Sequence, residues 1–204
     1  MAGGVKSTYR QEQAAATRER IAEAARRLFA ANGYRPTSME AIAAEAGVAP
    51  RTVYSAFGAK REILSAICER WLAESGAIGV VDRALAEPDA AKRLRLAATF
   101  LRALYANGFD VVQLFEAAMD EDAETRALLR AKLAGRNQAM DRIIASLEGS
   151  LSMPVPAAQA IYRALAAPGI YQELVVESGW TADQFEEWIA GTLVRQLLEG
   201  SRSQ

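Results

Sequence analysis

Apolar residues recur at helical spacing along almost the whole chain, and no stretch alternates as a half-buried strand must. Ile21, Ala24, Ala25, Leu28 and Phe29 form one such stripe, and Leu94, Ala97, Ala98, Leu101 and Tyr105 a second. Leu129, Leu133, Met140, Ile143, Ile144 and Leu147 form a third. The pattern predicts an all-α fold, and the punctuation between stripes agrees with it. Asn32-Gly33 supplies a left-handed C-cap. Thr37, three residues before Glu40, reads as the N-cap of a capping box. Gly47 and Gly58 bracket a short helix that opens at Pro50, where a missing N–H costs nothing. Lys60 begins a longer helix, Pro88-Asp89 another, and the acidic run Asp120–Glu124 a third, its charge favouring the helix dipole. The segment from Pro156 to Ser178 reads as helix kinked at Pro168-Gly169, and Thr181 with Gln184 is a second capping box.

Composition removes whole classes of chemistry. Among the 204 residues there is no histidine, which excludes Ser-His-Asp and Cys-His triads and any His-ligated metal. One cysteine, Cys68, cannot form an internal disulfide or a CxxC pair, and on an apolar stripe it reads as a buried inert thiol. No catalytic residue, metal ligand or cofactor is expected. Met1–Ser7 lacks the apolar core of a signal peptide, and the longest uncharged run, residues 149–162, is broken by Pro154 and Pro156. A cytoplasmic protein away from membranes is the expectation. The net charge of −1 divides unevenly: residues 1–60 carry +4 and residues 61–204 carry −5. An anionic partner would meet the N-terminal quarter.

That quarter holds the sharpest constellation. Two short helices, Ser38–Ala46 and Pro50–Phe57, flank a tight turn at Gly47-Val48-Ala49. This is the layout of a helix-turn-helix, whose second helix can enter a DNA major groove. Ile42, Ala43, Ala46, Val48 and Val53 supply the small apolar contacts the pair needs.

The residues from Thr17 to Leu72 resemble the DNA-binding domain of the tetracycline-repressor (TetR) family of transcriptional regulators. The resemblance rests on Ile21-Ala22-Glu23-Ala24-Ala25 with Leu28-Phe29, then Gly33-Tyr34, Thr37-Ser38-Met39 and Ile42-Ala43. It continues through Ala46-Gly47-Val48, Thr52-Val53-Tyr54, Phe57 and Lys60 to Ile63-Leu64. Ala164–Tyr171, Glu177–Trp180 and Trp188-Ile189 are similar to the end of that family's ligand-binding and dimerisation domain. Two departures stand out: Ala49, where the family often has a capping Ser or Thr, and Ala56, where a phosphate-touching side chain is common.

The resemblance implies a DNA-binding domain over residues 14–74, with recognition helix at about 50–57, and a helical ligand-binding and dimerisation domain over 75–204. Arg51, Thr52 and Ser55 are the candidates for base edges, and Arg51 alone could grip guanine bidentately. Tyr54 and Lys60 match positions that hold the DNA backbone, and Thr37 could cap its helix and touch a phosphate together. Lys6 and Arg10 read as a disordered tail, with a minor-groove arm as the alternative. Trp71, Phe100, Leu104, Phe115, Met119, Met140 and Tyr162 lie on helices that would enclose an inducer, mixed with plain core. With no histidine and few charges on apolar faces, that small molecule should be mainly apolar.

The last helix is apolar on two sides: Phe185, Trp188, Ile189 and Leu193 on one, Ala190, Val194, Leu197 and Leu198 on the other. One side must be covered from outside the subunit. A homodimer is therefore expected, with Tyr171, Leu174, Val175, Trp188, Ile189, Leu193 and Leu197 at its interface. The function expected is a repressor released from palindromic operator DNA by a small molecule. The alternatives are an all-helical metal-dependent enzyme built on residues 120–124, or a partner-binding protein that has lost operator recognition.

Overall fold

The structure, a computed structural model, describes residues 3–199, with side chains from Tyr9 onward. Among these residues there is no strand. The helices are α1 (Gly3–Asn32), α2 (Met39–Glu45), α3 (Pro50–Phe57), α4 (Lys60–Glu74), α5 (Ala77–Ala86) and α6 (Ala90–Ala106). They continue with α7 (Phe109–Ala118), α8 (Ala123–Ala145), α9 (Val155–Leu165), α10 (Pro168–Tyr171) and α11 (Ala182–Val194). Both α10 and α11 run on into wider, π-type turns, at Gln172–Glu177 and Arg195–Glu199. The side chain of Lys6 lies outside those described, and Arg10 is exposed on α1, where a tail or arm was expected.

The chain forms two compact units. Met1–Trp71 and Gln113–Leu129 make the first; Leu72–Val112 and Arg130–Gln204 make the second. Residues 113–129 therefore cluster with the N-terminal helices, although their place in the chain assigned them to the second domain. The cause is polar. Arg35 Nε meets Glu121 Oε2 at 3.1 Å, and Arg61 Nη1 meets Glu124 Oε2 at 2.7 Å.

In the first unit, Ile21, Ala24, Ala25 and Phe29 of α1 are buried with Ile42 and Ala43 of α2, Val53 of α3 and Ile63, Leu64 and Ile67 of α4. Cys68 is buried as expected. In the second unit, α6 packs against both α5 and α11. Leu94, Ala97, Ala98, Leu101 and Tyr105 of α6 are buried, as are Phe185, Ile189, Leu193 and Leu197 of the last helix. Tyr105, Phe109, Tyr171 and Phe185 form an aromatic cluster, with centroids from 4.9 to 6.4 Å apart. Arg102 Nε donates to Asp183 Oδ1 at 2.8 Å, tying α6 to the start of α11.

The helix punctuation differs from expectation in two places. Ser38, not Thr37, caps α2: its hydroxyl accepts from Ala41 N at 3.0 Å. Thr37 is turned inward and donates to the Gly33 carbonyl at 2.8 Å, so the acceptor for the helix's free N–H comes from the next residue. The kink at Pro168 is a full break, with Ala167 extended and Pro168 restarting the helix at its first position. Elsewhere the signals hold. Asp89 caps α6, and Thr181 with Gln184 forms a complete capping box on α11.

Candidate nucleic-acid interface

The α2–α3 turn is closed by local chemistry. Gly47 stands at φ 65°, the left-handed region where a side chain is strained. Val48 N donates to Ala43 O at 3.0 Å and Gly47 N to Ala44 O at 3.2 Å. This pair of bonds is the Schellman arrangement that satisfies the last carbonyls of a helix. Ala49 is extended and gives α3 no side-chain cap, while Pro50 opens it. The absence of a cap at Ala49, anticipated from sequence, is thus visible in the fold.

The faces of α3 are sharply divided. Val53 and Phe57 are buried. Arg51, Tyr54 and Ser55 are exposed and Thr52 half-buried, so the four make a polar face outside the unit. Arg51 has no hydrogen-bond or ion-pair partner among the described residues. Tyr54 is 47% exposed, and its hydroxyl donates to Glu40 Oε1 at 2.9 Å. Its own backbone N–H and the Tyr54 hydroxyl hold the Glu40 carboxyl below the ordinary glutamate range. The same hydrogen bond pushes the Tyr54 hydroxyl up. Tyr54 is oriented as a positioned donor rather than a mobile one.

Two basic residues brace this face. Arg18 of α1 lies 4.1 Å from the centroid of the Phe57 ring and donates to the Ala56 carbonyl at the end of α3. It puts a cation at the helix C-terminus, where the dipole is negative. Sequence inspection missed it, because a bond spanning 38 positions leaves no local pattern. Lys60 is placed differently from the expected DNA-backbone contact. Its ammonium donates to the carbonyls of Tyr34, Arg35 and Thr37 at 2.7, 3.2 and 3.1 Å, and sits 4.3 Å from the Tyr34 ring centroid. Three donors meet three carbonyls, so Lys60 staples the α1–α2 connection. Burial pulls its pKa down. Thr37 is likewise buried, with its hydroxyl committed to Gly33.

The acidic run 120–124 is taken up structurally. Asp122 accepts from Thr125 N at 2.7 Å and from its hydroxyl at 2.8 Å, starting α8, while Glu121 and Glu124 pair with Arg35 and Arg61. Those carboxylates do not converge. Among the described residues no group of three or more Cys, Asp or Glu side chains could hold a metal ion.

The expected ligand residues are split. Phe100, Leu104, Met140 and Tyr162 are interior residues of the second unit. Trp71, Phe115 and Met119 belong to the first. The dimer residues are split too. Tyr171, Ile189, Leu193 and Leu197 are buried within their own subunit, which corrects their assignment to the interface. On the last helix the inward side is Phe185, Ile189, Leu193 and Leu197, a spacing that stays on one face. Trp188 is 36% and Val176 52% exposed, and Leu174, Val175, Val194 and Leu198 are half-buried. Trp180 and Trp188 meet edge-to-face at 6.3 Å on this outer side.

Residues 21–67 match a family model described as bacterial regulatory proteins, tetR family. Over 57 residues the chain is 40% identical to the HTH-type transcriptional regulator UidR of Escherichia coli, which covers 28% of this chain and 29% of that regulator. The chain thus spans under a third of the length of the curated relative. Among solved structures, FadR from Bacillus subtilis in complex with stearoyl-CoA superposes with TM-score 0.70 at 19% identity, covering 89% of this chain and 98% of that one. NalD of Pseudomonas aeruginosa, the secondary repressor of the MexAB-OprM multidrug efflux pump, gives 0.72 at 20% identity, covering 93% and 99%. A transcriptional regulator from Saccharomonospora viridis in complex with choline gives 0.67 at 21%, covering 90% and 98%. These last three likenesses show the fold. No helix among the described residues is long and apolar enough to cross a membrane.

Proposed function

We propose that this chain, which belongs to the tetR family of bacterial regulatory proteins by its helix-turn-helix domain, is a homodimeric repressor of transcription in the cytoplasm. The observation that carries the reading is the face of α3. A helix that buries Val53 and Phe57 but offers an unpaired Arg51 beside Thr52, Tyr54 and Ser55 has the chemistry of base-edge and phosphate contact. Arg51 reads sequence. Tyr54 positions the helix on the backbone, and exposed Ser38 with the α2 N-terminus beside Thr37 offers a further phosphate seat.

A single helix of this length contacts one half-site, and a dimer is needed for tight binding to a palindrome. The outer apolar strip of Leu174, Val175, Val176, Trp188, Val194 and Leu198 is the surface we assign to the partner subunit. Two recognition helices held about 34–36 Å apart would enter successive major grooves. A small, mainly apolar molecule bound among Phe100, Leu104, Met140 and Tyr162 would favour a different spacing, and DNA affinity would fall by its preference between the two states. Helix α8 is the candidate transmitter, since it begins in the first unit and continues into the second. The functional division is residues 14–74 for DNA and 75–204 for ligand and dimer, and the reading includes no enzymatic role.

The test is selection from a random DNA pool with purified protein, followed by sequencing of what is retained. Enrichment of one inverted-repeat sequence supports the reading. Retention without any common sequence contradicts it.

A further inference from the structure

The buried stripe of α8 contains one charge. Its positions run Leu129, Leu133, Arg136, Met140, Ile143, Ile144 and Leu147, and Arg136 stands where the helical spacing calls for an apolar residue. Leu129, Met140, Ile143, Ile144 and Leu147 are all buried, and Leu133 and Arg136 are half-buried. Arg136 Nε is shut off from solvent and has no hydrogen-bond partner among the described residues. Its one described bond is a long one, from Nη2 to Asn137 Oδ1 at 3.3 Å. No carboxylate among the described residues pairs with it, whereas Arg163 further along the same unit has Asp141. The surroundings give it nothing to hold. Tyr162, fully buried, donates its hydroxyl to Ala97 O at 2.7 Å, and Tyr105 donates to Ala166 O. Met140, one turn further along the same stripe of α8, is fully buried.

An orphaned donor shut off from solvent is costly even on a half-buried side chain, and a methionine or leucine would remove the cost at once. Departures of this kind from the local pattern are expected at functional sites. We infer that Arg136 is the anchor for an anionic group on the effector, and that the ligand is a monocarboxylate with an apolar body. The planar guanidinium fork matches a carboxylate and leaves an alcohol or a quaternary ammonium unrewarded. The apolar body would lie along Met140, Tyr162 and Phe100, the interior residues already expected at a ligand. This inference rests on the proposed reading of the second unit as a ligand-binding domain.

The test uses the full chain titrated with decanoate, 1-decanol and decyltrimethylammonium, all below micelle formation, in wild type, Arg136→Met and Arg136→Lys. Decanoate should bind wild type roughly tenfold or more tightly than either other probe, since a charge-assisted bond to a half-buried guanidinium with an orphaned donor is at stake. Arg136→Met should lose that advantage while binding decanol as before, and Arg136→Lys should retain part of it. Without ligand, Arg136→Met should melt at or about 2–4 °C above wild type, because an unsatisfied buried donor has gone. A merely structural arginine would do the reverse, and a lower melting temperature or an unfolded Arg136→Met overturns the inference. Equal binding of decanoate and decanol, no binding of any probe, or decanoate binding that survives Arg136→Met overturns it as well. DNA selection on the same preparations separates the two readings. Arg136-dependent decanoate binding without sequence-specific DNA binding would leave the anion site standing and remove the regulator.

Discussion

Helices α3 and α11 each bury one side and leave the other to something outside the subunit, but they leave opposite chemistry. On α3 the outer residues are an arginine, a tyrosine and two hydroxyl side chains. On α11 and the turn before it an apolar strip of tryptophan, valine and leucine lies exposed or half-buried, beside exposed Asp183, Gln184 and Glu187. A charged and hydroxylated face suits a hydrated polyanion, where contacts are exchanged for water and counterions. An apolar face suits a second copy of the chain, where burial of area drives association. One family of helix thus serves two partners, and only the outward residues say which.

The largest expected effect breaks the comparison from inside. Leu193→Glu places a charge in the core of the second unit and should cost about 4 kcal/mol, enough to melt that unit. Trp188→Glu, one turn away on the outer side, should leave the helical signal and melting transition of each subunit intact while sedimentation shifts to the mass of one chain. If both substitutions only dissociated the protein, the inward and outward sides of α11 would be wrongly assigned.

Next in size is Lys60→Met. Loss of three bonds from a cation to backbone carbonyls should destabilise the first unit by about 2 kcal/mol, read by denaturant unfolding. Its effect on the salt slope of DNA binding should be slight. A slope lowered by about one with stability unchanged would restore Lys60 to the DNA backbone. Arg51→Ala should do the opposite, leaving stability within about 0.5 kcal/mol and costing about 1–3 kcal/mol of binding at one base position per half-site. A uniform loss across all sequences would make Arg51 a phosphate contact instead.

The smallest effect sharpens the role of Tyr54. In Tyr54→Phe the Glu40 carboxyl loses one of the donors that depress its titration, so its midpoint should move up toward the ordinary glutamate value. The sign follows from the depressed native pKa: the Tyr54–Glu40 bond is present at neutral pH and lost as pH falls through the carboxylate range. Carboxyl NMR titration reads it directly, and an unmoved midpoint would mean that Glu40's own backbone N–H alone is responsible.

The first unit was the more legible of the two, for a physical reason. Gly47, Pro50 and the Val53/Phe57 spacing act within one or two turns, so the turn, the helix and its outward face are all written locally. Even there the cap slipped from Thr37 to Ser38, because two adjacent hydroxyls compete and the inward one found Gly33. Lys60 and Arg18 were misplaced or missed because their partners lie 23 to 38 positions away. In the second unit the helices and caps were readable, but the split of α11 was not. Both of its sides are apolar, and only packing against α6 shows that Leu193 points in and Trp188 out. Arg136 was passed over, since the sequence stripe runs from Leu133 to Met140 without it, and the isolation of its Nε is a fact of three dimensions.

The most direct test of the central claim is a footprint of the wild-type protein on its selected DNA, with protein bound per site measured on the same sample. The account predicts two protected patches related by an inverted repeat, centred about 10–10.5 base pairs or a small multiple apart, with protomers bound in twos. A single patch covered by one protomer, at undiminished affinity, would contradict it.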